Sequence, residues 1–180
     1  PKIKENGQIK DYAIEYDPPI GWYGYGLNVK HYNDYDNEWI GYENKAGEWY
    51  VAYYGTNFAR KIFEEGFKTD KRDKREFDND NVNELSNKED KYKKVGKGVY
   101  VTPYIRVAEH DSKKKNGVHF GGRQYYLAFM CRVNPKKVRM KQKTSLDKQK
   151  CYWVVSGDDF KDKKFGDELR PYRILIKEVK

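Results

Sequence analysis

"EWYVAYYGTNFARKIFEEGF", residues 48–67, changes its periodicity halfway along, and that change decides the fold class. Up to Tyr54 the run is rich in aromatic and β-branched residues and has glycines at both ends, which favours a strand. Beyond Gly55 the pattern becomes helical. Ala59, Ile62 and Phe63 mark one face, Thr56 or Asn57 can cap the start, and Gly66 can stop it. Tyr54 stands at the junction, where a tyrosine can serve either packing or chemistry.

Working outward, "GKGVYVTP" (96–103) reads as a strand after a glycine turn, and "YIRVAEHDS" (104–112) as a short helix. "QYYLAFMCRV", "CYWVVSG" and "RPYRILIKEV" read as further strands, with "NPKKVRM" turning away after the first. "KKKNGVHFGGR" and residues 68–97 read as loops, the latter long, charged and exposed. Residues 1–20 are polar and end in the turn signal "DPPIG", and "GWYGYGLNV" leads into a short strand. Several strands with two short helices imply an α+β domain with a mostly antiparallel sheet. Residues 1–47 are expected to form an extension packed on a domain spanning 48–180, one globular unit in all.

Composition narrows the function classes. With 37% hydrophobic and 16% aromatic residues, 17 of them Tyr, the core must lean on rings rather than aliphatics. A net charge of +9 attracts polyanions such as nucleic acid or a phosphate-bearing ligand, although acids interleaved with the lysines blunt any single basic stripe. No run approaches the roughly 18 apolar residues of a membrane helix, so no membrane partner is expected. Cys131 and Cys151 form neither a metal pattern nor a disulfide framework, which suggests a reducing, intracellular setting. His31, His110 and His119 show no ligand spacing. A chain opening on Pro1 is expected to be part of a longer polypeptide.

The order of segments resembles the ADP-ribosyltransferase fold, in its poly(ADP-ribose) polymerase-like branch. The resemblance covers about residues 48–180. It rests on a strand ending in Tyr54-Gly55-Thr56, a helix ending in "GF", then "GKGVY" at 96–100, a helix with Ala108, and later strands. It implies split, mostly antiparallel β-sheets with short flanking helices. It also implies NAD as substrate and transfer of ADP-ribose to a macromolecular acceptor such as a protein. In such enzymes a histidine–glycine pair holds the ribose and carboxamide, a tyrosine packs on the nucleotide, and a glutamate stabilises charge developing at the ribose carbon.

Carried over by position, Gly55 matches the glycine, Tyr100 the tyrosine, Tyr54 the histidine, and Cys151 the glutamate. Thr56, Ala108 and His110 fall in the cofactor-binding neighbourhood, with Asp111 an alternative to His110. Two of the three triad positions are altered, and a thiol is neutral near pH 7 unless its pKa is lowered. The same residues therefore allow a degenerate module that binds nucleotide, nucleic acid or protein. Four acids are possible stand-ins for the glutamate. Asp158, Asp159 and Glu168 are expected in an exposed loop, and Glu48 on the same strand face as Tyr54. A role on RNA phosphates would need an arginine-rich pocket.

Overall fold

A computed structural model describes residues 2–5, 8–11, 16–32, 37–43, 45, 47–67, 98–114, 116–136, 138–142, 151–156, 166 and 168–179. The charged stretch 68–97, together with Asp158 and Asp159, lies outside them. The described chain is α+β, with its strands paired antiparallel. In order these are β1 (Lys2–Glu5), β2 (Gln8–Asp11), β3 (Tyr23–Gly26), β4 (Tyr50–Thr56), α1 (Ala59–Glu65), β5 (Gly98–Val101), α2 (Ile105–Lys114), β6 (Val118–Phe120), β7 (Arg123–Val133), β8 (Val138–Gln142), β9 (Cys151–Ser156) and β10 (Leu169–Glu178).

A five-stranded sheet runs β3-β10-β7-β4, with β6 added on β7; a three-stranded sheet runs β5-β9-β8; and β1 and β2 form a hairpin. Four strands arise where sequence reading expected polar or turn segments and loops: β1 and β2 within residues 1–20, β6 inside "KKKNGVHFGGR" and β8 from inside "NPKKVRM" onward. Each is only three to five residues long, too short for its apolar residues to announce it. Partner strands supply the missing drive.

The core between the sheets takes Ala52, Phe129, Cys131, Val133 and Leu169 from the larger sheet and Val99, Val101, Trp153 and Val155 from the smaller. Ala59 and Ile62 of α1 pack on it, as does Phe67 just beyond that helix. A second cluster covers the opposite face of the larger sheet, where Tyr53, Ala128, Met130 and Leu175 meet Ile105 and Ala108 of α2. The central strand β7 is thus covered on both faces, which explains its nearly continuous apolar run. Along β10 the register shifts between Pro171 and Arg173. The extra residue turns odd-numbered side chains to the other face, so Leu169 enters the first core and Leu175 the second. Pro171 is tolerated because a bulge needs no N–H there.

The helices start and stop differently from their sequence signals. Helix α1 begins at Ala59, with Phe58 at the cap position; Thr56 Oγ1 accepts from the Phe58 N–H at 2.9 Å, so Thr56 shapes the entry. Gly66 ends it in a left-handed φ of 76°, its N–H donating to the Ile62 carbonyl. Helix α2 is capped from a distance, because Asp17 Oδ2 accepts from the Ile105 N–H at 2.9 Å. The Asp17 carbonyl also accepts from the Tyr53 hydroxyl at 2.6 Å. Burial pushes the Tyr53 phenol above its ordinary value, which keeps it a donor.

Tyr32, Trp39, Ile40, Gly41 and Trp49 are held by two buried arginines that lie opposite one another on β7 and β10. Arg132 donates to the carbonyls of Trp49 at 2.7 Å and Ile40 at 3.1 Å, and to that of Gly41. Arg170 lies over the rings of Tyr32, Trp39 and Trp49, 4.3–5.3 Å from their centroids, and donates to the Gly166 carbonyl. Like charges facing across a ladder are thereby spread over carbonyl and ring acceptors.

Replacing Asp17 by Ala should cost about 1 kcal/mol, the usual worth of a lost helix cap. A lower urea midpoint with an unchanged slope would establish this, and an unchanged midpoint would refute it.

Candidate functional site

Among the described residues one isolated antiparallel bridge, Tyr53 to Thr102, joins the two larger sheets. The Tyr53 N–H donates to the Thr102 carbonyl at 2.7 Å, and the Thr102 N–H returns to Tyr53 at 3.0 Å. Extending that register by two residues sets Gly55 across from Tyr100. No strand ladder continues there among the described residues, because β5 pairs with β9 instead.

Backbone alternation then fixes which edge Gly55 presents. Tyr53 turns its N–H and C=O toward β5, so Gly55 turns its own the same way, while Tyr54 and Thr56 turn theirs toward β7. The Thr56 end of the β4–β7 ladder is spliced by a side chain. Ser112 Oγ accepts from the Leu127 N–H at 3.0 Å and donates to the Thr56 carbonyl at 3.2 Å.

Glycine at 55 has a direct steric cause. A Cβ there would lie 1.9 Å from the Ala108 carbonyl oxygen. Helix α2 crosses against the bare backbone of β4, and Ala108 is fully buried at the crossing. The resemblance assigns this glycine to make room for a ligand. In the structure its missing side chain makes room for α2, and strand alternation turns its main-chain edge toward β5.

Tyr100 is 3% exposed. Its neighbours Val99 and Val101 enter the inter-sheet core, so Tyr100 leaves on the other face of β5, opposite Val154. Tyr152 shares that face of β9 with Val154, and its hydroxyl donates to Asp111 Oδ1 at 3.0 Å. Asp111 is buried and follows Ala108 by three residues, on the same side of α2. His110 is exposed. Of the two α2 candidates, Asp111 is therefore the one that reaches the smaller sheet. Gly55 meets Ala108, and Asp111 one turn on meets Tyr152, which shares its face of the smaller sheet with Tyr100.

Tyr54 takes another direction. Its half-buried ring packs edge-on against Phe67, with centroids 5.1 Å apart, on the inter-sheet core side. Tyr54 and Tyr100 thus leave their strands toward different surroundings. Thr56 is buried, and its hydroxyl serves the entry to α1. Cys151 begins β9 opposite Gln142, with only its backbone described.

Two of the stand-in acids are corrected. Glu48 precedes β4 and accepts from the Glu43 N–H at 2.9 Å, so it shares no strand face with Tyr54. Glu168 is buried beside β10 rather than exposed. The buried arginines are engaged with carbonyls and rings, which leaves them no exposed phosphate-binding face. Ser112 and Tyr152 went unremarked in the sequence. The alternation of "CYWVVS" would have put Tyr152 on the face of Val154, but nothing local marks Ser112 as a splice.

No helix among the described residues is long and apolar enough to cross a membrane. No protein-family model, curated protein or solved structure matches the chain.

Gly55→Ala should destabilise by about 1–3 kcal/mol, the usual cost of overpacking, because α2 must move off β4. Ser112→Ala strips a donor and an acceptor from a buried ladder end and should cost about 1–3 kcal/mol. Thermal or urea unfolding checks both; wild-type stability in either variant would contradict the assigned contact.

Proposed function

We propose that this chain is an NAD-binding module of the ADP-ribosyltransferase type, similar to poly(ADP-ribose) polymerase catalytic domains. It would transfer a single ADP-ribose to a macromolecular acceptor. One observation carries the reading. The register of the Tyr53–Thr102 bridge aligns Gly55 with Tyr100 at the junction of the two sheets. A main-chain edge beside an aromatic ring suits a planar carboxamide-bearing ring, since the amide needs one donor and one acceptor and the ring needs a flat apolar face.

The chain's own residues have distinct tasks in this reading. Gly55 offers its main-chain edge, and Ala108 keeps that edge in position by filling the space behind it. Tyr100 supplies the aromatic wall. Cys151 offers a thiol where a carboxylate would stabilise positive charge, so the transfer step is the weaker part of the machinery.

A second reading, a binding module without transfer, is favoured by the packing of Tyr54 on Phe67. A ring committed to the core is not positioned as a ribose-binding histidine would be.

Binding to the native state raises stability by mass action. NAD at a hundred times its dissociation constant should add about 2.7 kcal/mol. A thermal shift that rises with NAD and saturates supports the module, and none at millimolar NAD refutes it. Release of nicotinamide from NAD separates the two readings. In a silent module, the double change Tyr54→His and Cys151→Glu should create release where the wild type has none.

A further inference from the structure

Strand β3 borders the five-stranded sheet and, among the described residues, pairs with β10 alone. All four of its residues are exposed. The Leu27 N–H donates to the Tyr172 carbonyl at 2.9 Å, in the register that β3 keeps with β10. Alternation therefore turns the main chains of Tyr23 and Tyr25 toward β10, and those of Gly24 and Gly26 away from it. The outer edge offers N–H and C=O groups at residues that have no side chain to shield them. Sheet edges are ordinarily blunted by a charge, a proline or a bulge, and β3 has none of these.

The two faces of this edge differ in chemistry. Tyr23 and Tyr25 stand on one, 71% and 59% exposed. On the other, Gly24 lets the stem of Arg173 lie across the strand, since a Cβ there would meet Arg173 Cδ at 2.8 Å. Arg173 is exposed and joins no ion pair among the described residues, whereas Lys177, on the same face of β10, is bonded to Glu109. We propose that β3 is a docking edge for an extended peptide that alternates acidic with apolar residues and adds to the sheet as a further strand. The peptide's main chain bonds to Gly24 and Gly26, its carboxylates pair with Arg173, and its apolar side chains lie against Tyr23 and Tyr25. A second copy of this chain fits less well. Antiparallel pairing of β3 with itself would set two Arg173 side chains on one face of the joined sheet, between chains that each carry a net charge of +9. The edge lies across the sheet from β4, so it is independent of the site at Gly55.

Fluorescence anisotropy follows a labelled peptide of alternating glutamate and valine. Three further peptides carry lysine in place of glutamate, N-methyl groups at every glutamate, or N-methyl groups at every valine. Gly26→Pro removes an outward N–H and leaves the β10 ladder its bonds, and a Cβ at that position meets nothing within 4 Å. Arg173→Glu reverses the charge on the edge. Unfolding without peptide is measured for each variant, so that a folding defect is recognised.

The wild type should bind the glutamate peptide about tenfold more tightly than the lysine peptide. One N-methylated peptide should lose binding and the other keep it, because only alternate amides of an added strand face β3. Gly26→Pro should weaken binding about tenfold, and Arg173→Glu should invert the charge preference. Absence of binding at millimolar peptide, equal effects of the two methylation patterns, or an Arg173→Glu chain that still prefers glutamate overturns the proposal. A dimer of the wild type in sedimentation that Gly26→Pro dissolves also overturns it, in favour of a second copy. If Gly26→Pro proves unfolded, the pair of methylated peptides decides.

Discussion

Two sheets share one bridge, and most of the structure depends on how that bridge is held. The main-chain exchange between Tyr53 and Thr102 would be a weak joint by itself. It is reinforced by full burial of the Tyr53 side chain, whose hydroxyl reaches Asp17, and by the cap that Asp17 gives α2. Helix α2 then lies against Gly55 and fastens to the ladder through Ser112. The strand end, the helix and the bridge therefore form one mechanical unit. If the bridge slipped by one residue, each side chain of β4 would face the wrong core.

The N-terminal part of the chain is structural as well as covering. Asp17 belongs to the same unit, and the segments around Trp39 and Trp49 are fastened by Arg132 and Arg170. The two guanidiniums answer a problem set by composition. With few aliphatics and many rings, the periphery is cemented by cation–ring contacts and arginine-to-carbonyl bonds rather than by branched side chains. Lys177 repeats the device, with its ammonium 5.8 Å from the Trp22 ring centroid and bonded to Glu109 of α2.

The candidate site was partly legible. The strand at 50–56, the helix after it and the strand at 98–101 each had strong local signals, and the two strands bring Gly55 and Tyr100 to the junction of the sheets. Asp111 and His110 could not be separated by sequence, because the phase of a short helix is uncertain by a residue and the choice turns on which face meets β9. Glu48 was misread as a strand residue, since aromatic neighbours gave no hint that the strand starts at Tyr50. Glu168 was misread as exposed, since burial of an acid is set by what folds over it.

By itself the sequence determined the α+β class and the positions of the stronger strands and of both described helices. Those follow from local propensity, periodicity and backbone sterics, which act over a few residues. Tertiary structure alone decided that the glycine admits a helix, that Ser112 splices a ladder and that Asp111 pairs with Tyr152. It also decided that Tyr54 and Tyr100 leave toward different surroundings. Each of those outcomes joins residues far apart in the chain, and only sheet register and helix packing determine which of them meet.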